Sequence, residues 1–158
     1  MRGVRRRGLV ALLLAQATGW SRAAPSDDGD DQALLADPDY AAAMAALRAG
    51  DAAAALPRFE SALKRFPDSA DLHNELGFAH RRMRQVEKAF EHYKRALAIN
   101  PQHRGAHEYI GEAYLMVGNV PAAERHLAAL RSICVLSCEE LRDLEKAIAA
   151  HRTQGTTR

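Results

Sequence analysis

Residues 70–103, ADLHNELGFAHRRMRQVEKAFEHYKRALAINPQH, decide the fold. Ser69 precedes this stretch and offers a side-chain oxygen to the free N–H groups of a helix start, which predicts a helix over 70–83. A second helix is predicted over 86–98. Pro101 ends it, because proline has no N–H to donate and disfavours the helical conformation in its predecessor. Apolar residues nowhere alternate with period two, so we expect an all-α protein.

The same pattern recurs along the chain with a period of 34 residues. Glycine, proline, alanine, aromatic and histidine positions all keep this spacing, which is not expected by chance even in an alanine-rich chain. The recurring sets are Ala55, Ala89 and Ala123; Phe59, Tyr93 and Leu127; Ala62 and Ala96; Pro67 and Pro101; Gly77 and Gly111; His73 and His107; and His92 and His126. Such a period is typical of stacked helix–turn–helix units. It gives three units, 36–69, 70–103 and 104–137.

Turn residues mark the helix boundaries inside the other two units. In the third unit, Gly118 ends the first helix and Asn119 caps the second. In the first unit, Gly50 ends the first helix and Asp51 caps the second.

The second unit resembles the tetratricopeptide repeat (TPR), whose pattern is W-x2-L-G-x2-Y…A-x3-F…P. Histidines stand in its tryptophan and tyrosine positions, and the other landmarks are present: His73, Leu76, Gly77, His80, Ala89, Tyr93, Ala96 and Pro101. The third unit matches with His107, Ile110, Gly111, Tyr114, Ala123 and Leu127, and departs from the pattern at Val135, where a proline is expected. The first unit keeps Ala55, Phe59, Ala62 and Pro67, with Pro57 inside its second helix.

The resemblance implies a right-handed α-solenoid of about three units plus a C-terminal capping helix. The landmark residues are expected to pack the helices together, because no single unit buries its apolar face alone. Gly77 and Gly111 are expected to let each first helix approach the small side chains of Ala89 and Ala123 on its partner.

A capping helix is predicted over 138–151, with Ser137 as N-cap and Glu140 completing a capping box. Cys134 and Cys138 flank the turn before it, and we expect a disulfide that holds the cap to the solenoid. The alternatives are free thiols and a redox or metal site. The short loop limits the stabilisation to below about 3 kcal/mol.

The N-terminus predicts export. Five arginines precede or flank a short apolar run in residues 1–23, which is the order of a secretory signal peptide. Cleavage after Ala23 and cleavage after Ala17 both fit the small-residue rule, and no membrane span is expected after cleavage. Residues 24–35 are predicted to be a flexible acidic lead-in, and 152–158 a disordered tail. We expect an exported, periplasmic protein.

Charge and motifs exclude several classes of function. Without its first 23 residues the net charge changes from +2 to −3, so the basic stripe typical of nucleic-acid binding is missing. No phosphate loop, nucleophile elbow or His-Glu-x-x-His motif occurs, so we expect neither an enzyme nor a small-molecule substrate. His73 and His107 would face each other on neighbouring first helices. They have no fixed carboxylate or cysteine companion, so we expect no metal and no cofactor.

The resemblance implies that the first helices line a concave groove that binds another protein or peptide. The predicted groove residues are Tyr40, Met44, Asn74, Phe78, Arg81, Arg82, Glu108, Tyr109, Glu112 and Met116. Relatives that clamp a C-terminal carboxylate use lysine, asparagine and arginine in this groove, and Tyr40, Met44, Glu75, Gly105 and Tyr109 stand at those positions here. We therefore expect a scaffold or adaptor of the bacterial cell envelope that does not bind carboxylate tails. The alternative is an assembly factor for an exported metalloenzyme or cytochrome that uses Cys134 and Cys138 or the histidines.

Overall fold

A computed structural model describes residues 32–155, and the predicted signal peptide lies outside them. The helices are α1 (Pro38–Arg48), α2 (Ala52–Leu63), α3 (Ala70–Arg82), α4 (Val86–Ile99), α5 (Arg104–Met116), α6 (Val120–Ile133) and α7 (Glu139–Gly155). Residues 32–35 are also helical, and the described part of the chain contains no strand. The predicted all-α solenoid is confirmed.

The helices pair as three helix–turn–helix units that stack in chain order. α1 packs on α2, α3 on α4, and α5 on α6; α2 also packs on α3, and α4 on α5. α7 packs against both α5 and α6. It therefore occupies the place that the first helix of a fourth unit would take.

Each core cluster is shared between neighbouring units. Phe59 and Leu76 join the first unit to the second, and Tyr93 and Ile110 join the second to the third. Leu144 of α7 closes the last cluster, and it is fully buried. The predicted packing residues are buried, except that Pro67 and Pro101 are exposed and Tyr114 is half-buried.

The two glycines of the first helices lie against large side chains. A Cβ on Gly77 would lie 2.6 Å from two ring carbons of Tyr93, and a Cβ on Gly111 would lie 2.7 Å from both δ carbons of Leu144. The two glycines therefore make room for these side chains. Leu144 fills the space at Gly111, where the third unit has no tyrosine equivalent to Tyr93.

The turn inside each unit needs a left-handed backbone. Gly50, Arg84 and Gly118 follow one another at the repeat spacing and have φ values of 82°, 61° and 75°. Glycine adopts this conformation without steric cost, whereas arginine does not. The predicted caps Asp51, Ser69 and Asn119 accept the backbone N–H groups of Ala54, Leu72 and Ala122.

Both ends of the solenoid differ from the predictions. Leu34 belongs to the predicted flexible lead-in, but it is only 1% exposed because it packs into the first core cluster. α7 begins at Glu139, so Cys138 and not Ser137 directly precedes it, and the Glu140 carboxylate turns towards Arg104 at 3.6 Å. The helix also continues beyond His151, because Arg152 pairs with Glu124 of α6.

Candidate functional site

The predicted groove lies on the surface formed by α1, α3, α5 and α7, here called the first-helix face. Tyr40, predicted to line it, is instead only 8% exposed, because its ring packs on Phe59 at 5.8 Å between centroids. Asn74 and Glu108 are also buried, but both line a pocket on this face. Met44, Phe78, Arg81, Tyr109 and Glu112 are half-buried, and Arg82 and Met116 are exposed.

Arg81 is already engaged by the protein. Its guanidinium contacts Glu112 at 2.6 Å, donates through Nε to the Tyr93 hydroxyl at 3.3 Å, and lies over the rings of Phe78 and Tyr109 at 5.4 and 5.3 Å. The direct ion pair cancels both charges locally, so Arg81 positions α3 on α5.

Phe78 and Arg82 stay accessible beside this network. The Phe78 ring packs on Tyr109 at 5.1 Å, and the Arg82 guanidinium lies 5.9 Å from the Phe78 ring centre. Arg82 is exposed, and no ion pair is formed by it within the described chain. The two side chains thus present an aromatic ring next to a solvated cation.

An acidic pocket of about 270 Å³ opens at the N-terminal end of α3, α5 and α7. It is lined by Asn74 from α3; by Gly105, Glu108 and Tyr109 from α5; and by Glu139, Glu140 and Asp143 from α7. Burial, together with the charges of Glu112, Asp143 and Glu140, raises the pKa of Glu108 to about 8 against the opposing effect of Arg81. The pocket therefore concentrates negative charge that the fold compensates poorly.

A second pocket of about 290 Å³ lies at the other end of the same face, between α5 and α7. The Arg81–Glu112 ion pair forms one side, and mostly apolar or small side chains form the rest: Leu115, Met116, Ala147 and Ala150, with His151 and Gln154 at the end of α7. The two pockets place different chemistry at the two ends of the helices. The two ends of the face therefore differ in charge and polarity.

The histidines form two pairs, one inside each of the last two units. His73 Nδ1 lies 3.1 Å from His92 Nδ1, and His107 Nδ1 lies 3.0 Å from His126 Nδ1. The predicted approach of His73 to His107 is wrong, because each has a partner on the second helix of its own unit. His80 and Tyr114, at the TPR tyrosine position, stack on His92 and His126 respectively.

Backbone carbonyls determine the proton positions in both pairs. His73 Nε2 lies 3.1 Å from the Pro67 carbonyl, which only accepts, so Nε2 carries the proton and Nδ1 accepts from His92. Burial, with the neighbouring cations, lowers the pKa of His92 to about 4. It lowers the pKa of His126 to about 4 for the same reasons. His92 and His126 are therefore neutral at pH 7. Across residues 32–155, no three His, Cys, Asp or Glu side chains are placed to hold a metal ion together.

Cys134 and Cys138 form the predicted disulfide, with 5.9 Å between their Cα atoms. It closes the turn between α6 and α7. Val135 and Leu136 of this turn are almost fully exposed.

Sequence reasoning missed the part that α7 takes in the site. None of its residues was predicted to line the groove, whereas Glu139, Glu140 and Asp143 line the acidic pocket. The signal was present, because Leu144 follows Leu76 and Ile110 at the repeat spacing and places α7 in register as a further first helix.

Comparisons with known proteins agree with this architecture. Two models of the tetratricopeptide repeat match the sequence, over residues 40–104 and over residues 80–133. None of the curated proteins matches.

Several solved structures are similar. The type III secretion translocator chaperone SycD of Yersinia enterocolitica has a TM-score of 0.63 at 16% identity, over 82% of this chain and 96% of that chain. The TPR domain of Arabidopsis OM64 has a TM-score of 0.60 at 16% identity, over 80% and 99%. MamA from Desulfovibrio magneticus RS-1 has a TM-score of 0.58 at 21% identity, and this match covers 68% of this chain but only 63% of that chain. At these identities the likeness concerns the fold.

Proposed function

Because this chain belongs to the tetratricopeptide-repeat family, we propose that it is a non-catalytic scaffold or adaptor of the bacterial cell envelope. It binds an extended or helical segment of another protein along the first-helix face. A structural neighbour, SycD, is a translocator chaperone, so the same fold serves a protein-directed role there.

The observation that carries this proposal is the arrangement of the two pockets with Phe78 and Arg82 on one face. The pockets are each about 270–290 Å³, at or below the roughly 300–1,000 Å³ of typical small-molecule sites. Both are open at the surface and lined by two or three helices. Such a surface suits successive side chains of a polypeptide better than one compact ligand.

The assembly-factor alternative receives less support from the contacts. Cys134 and Cys138 are joined to each other, and the histidine pairs satisfy one another and a backbone carbonyl. Neither group is presented to a partner as a set of open ligands. We therefore favour the scaffold.

Export rests on residues 1–23, which lie outside the described chain. No helix within residues 32–155 has the length and apolar character needed to cross a bilayer. N-terminal sequencing of protein recovered from a periplasmic extract tests the proposal, and a chain that still begins at Met1 contradicts cleavage.

Groove binding is tested by two matched double variants. Phe78→Ala with Arg82→Glu changes the first-helix face, and Phe90→Ala with Lys94→Glu is the control on α4. The control is close in chemistry, because Lys94 Nζ lies 5.8 Å from the Phe90 ring and Phe90 packs on Tyr114 at 4.6 Å. Arg81→Glu is avoided, because it would place a second carboxylate against Glu112.

Each variant of the chain without residues 1–23 is used to capture proteins from an envelope extract, after its melting curve has been recorded. We expect the first-helix variant to lose the bound protein at unchanged melting temperature, since exposed aromatic and arginine side chains commonly dominate binding energies. The control is expected to retain it. Equal loss in both variants, or retention in both, contradicts binding at this face.

A further inference from the structure

Asn74, which lines the acidic pocket, has a hydrogen-bond acceptor that the described chain does not use. Asn74 is only 5% exposed, and its Oδ1 is buried without a hydrogen-bond partner, while Nδ2 donates to Glu75 Oε1 at 3.3 Å. A buried carbonyl oxygen without a hydrogen-bond donor is unfavourable. The pocket is thus prepared for a ligand that donates hydrogen bonds.

The carboxylates of the pocket also lack sufficient counter-charge. Within the described residues, neither Glu108 nor Asp143 forms an ion pair. Glu140 is approached only by Arg104, at 3.6 Å, and the Arg104 side chain is 53% exposed at the rim. The nearby Arg81 is held by Glu112. Three helices therefore converge on negative charge with no cation inside the pocket.

The spacing of these groups selects the kind of cation. No three carboxylates, histidines or cysteines between residues 32 and 155 are close enough to bind one metal ion. A guanidinium or ammonium group at the end of a flexible side chain reaches acceptors that lie further apart, because it carries several N–H donors. The volume of about 270 Å³ admits such a side chain.

We propose that the acidic pocket receives an arginine or lysine side chain of the bound polypeptide, with Asn74 Oδ1, Glu108 and Asp143 as its acceptors. This inference rests on the proposed function and specifies the chemistry of the partner. It also determines direction, because the basic residue lies at the N-terminal end of α3, α5 and α7.

Protons compete with the bound cation for Glu108, and this competition can be measured as a pH dependence of binding. With a pKa near 8, Glu108 is largely protonated at pH 6.5 and ionised at pH 9, so a cation binds more tightly as the pH rises. The charged and titratable groups that face it are Glu75 and Arg81 from α3; Tyr109 and Glu112 from α5; and Glu140 and Asp143 from α7. Burial also raises the pKa of Glu75.

The test is a nuclear magnetic resonance titration of the chain without residues 1–23 with Nα-acetyl-arginine amide. Nα-acetyl-citrulline amide, which has nearly the same shape without the charge, is the control probe. We expect saturable shifts at the Gly105 and Tyr109 amides, with a dissociation constant on the order of 1 mM for this single group. The affinity should rise several-fold from pH 6.5 to pH 9.

The variants Glu108→Gln and Asp143→Asn should each weaken binding at pH 9 by tenfold or more, and Glu91→Gln on the exposed side of α4 should leave it unchanged. Asp143 is exposed, so its variant is expected to fold normally. The proposal is overturned if the citrulline probe gives equal shifts or if no shift is saturable. It is also overturned if Glu91→Gln weakens binding equally, or if calcium chloride saturates the same residues more tightly. The capture experiment and this titration use different ligands. Unspecific loss of the partner in the capture experiment contradicts the proposed function, whereas absence of arginine binding in the titration contradicts the proposed role of the pocket.

Discussion

Replacing Gly77 by alanine tests the closest helix contact of the solenoid. The added Cβ would lie 2.6 Å from Cδ1 and Cε1 of Tyr93, about 0.9 Å inside the roughly 3.5 Å at which carbon atoms pack. Tyr93 is fully buried, so its ring has no free volume into which to move. Overpacking of this kind typically costs about 1–3 kcal/mol.

Gly105→Ala in α5 is the matched control. A Cβ there would lie 3.5 Å or more from its neighbours, which is ordinary contact. Alanine is more favourable than glycine in a helix by about 1 kcal/mol, so the Gly105→Ala control should be neutral or more stable. The same gain should offset part of the overpacking cost in Gly77→Ala. We therefore expect Gly77→Ala to be less stable than Gly105→Ala by about 2 kcal/mol.

Urea unfolding followed by circular dichroism at the helix band measures this difference. A Tyr93→Leu replacement, which copies Leu127 of the third unit, should reduce the penalty of Gly77→Ala, so the double-mutant cycle should show coupling of about 1 kcal/mol or more. If Gly77→Ala is as stable as Gly105→Ala, or if the two replacements act additively, Tyr93 does not occupy the space at Gly77.

Two further predictions concern the turn and the histidine pairs. Arg84→Gly should stabilise the protein by about 0.5–1 kcal/mol, because Arg84 holds a φ of 61° where the other units have glycine; a lower melting temperature would contradict this. His92 and His126 have pKa values lowered to about 4 from 6.5, so their neutral forms stabilise the fold above pH 6.5 and this stability is lost as the pH falls towards 4. We expect the unfolding free energy to fall by about 2 kcal/mol for each pair. A fully buried histidine with this pKa shift would lose about 3 kcal/mol, and the partial exposure of the pairs reduces this value. His92→Asn should flatten the pH dependence of the unfolding free energy, whereas His151→Asn should not; parallel curves for wild type and His92→Asn would refute the assignment.

Repetition made the fold predictable from the sequence. Each unit repeats the same caps and landmarks, so a helix boundary at Ser69 or Asn119 is supported by independent local chemistry. The pairing of Cys134 with Cys138 followed from their separation. The ends were harder to predict, because Leu34 lies in a short apolar run directly after an acidic stretch, and its burial becomes evident only when α2 and α3 are in place.

The site was less predictable, because it depends on which helix lies beside which. The sequence identified Asn74 and Glu108 as groove residues, but it did not indicate that Asp143 would join them from 35 residues further along. Arg81 and Glu112 were both named, yet their ion pair depends on the distance between α3 and α5. Periodicity determines the register of the helices, whereas the pairing of charges depends on side-chain reach.

The position of α7 as an unpaired first helix has a consequence for how such a protein varies in length. The acidic pocket belongs to the C-terminal end, since α7 supplies part of its wall. Inserting one complete 34-residue module between the first and second units would keep α3, α5 and α7 adjacent, and with them every residue of the pocket. It would change only the span between the pocket and the opposite end of the face. The distance from the acidic pocket to a second contact at the opposite end of the face therefore changes only in steps of one whole module.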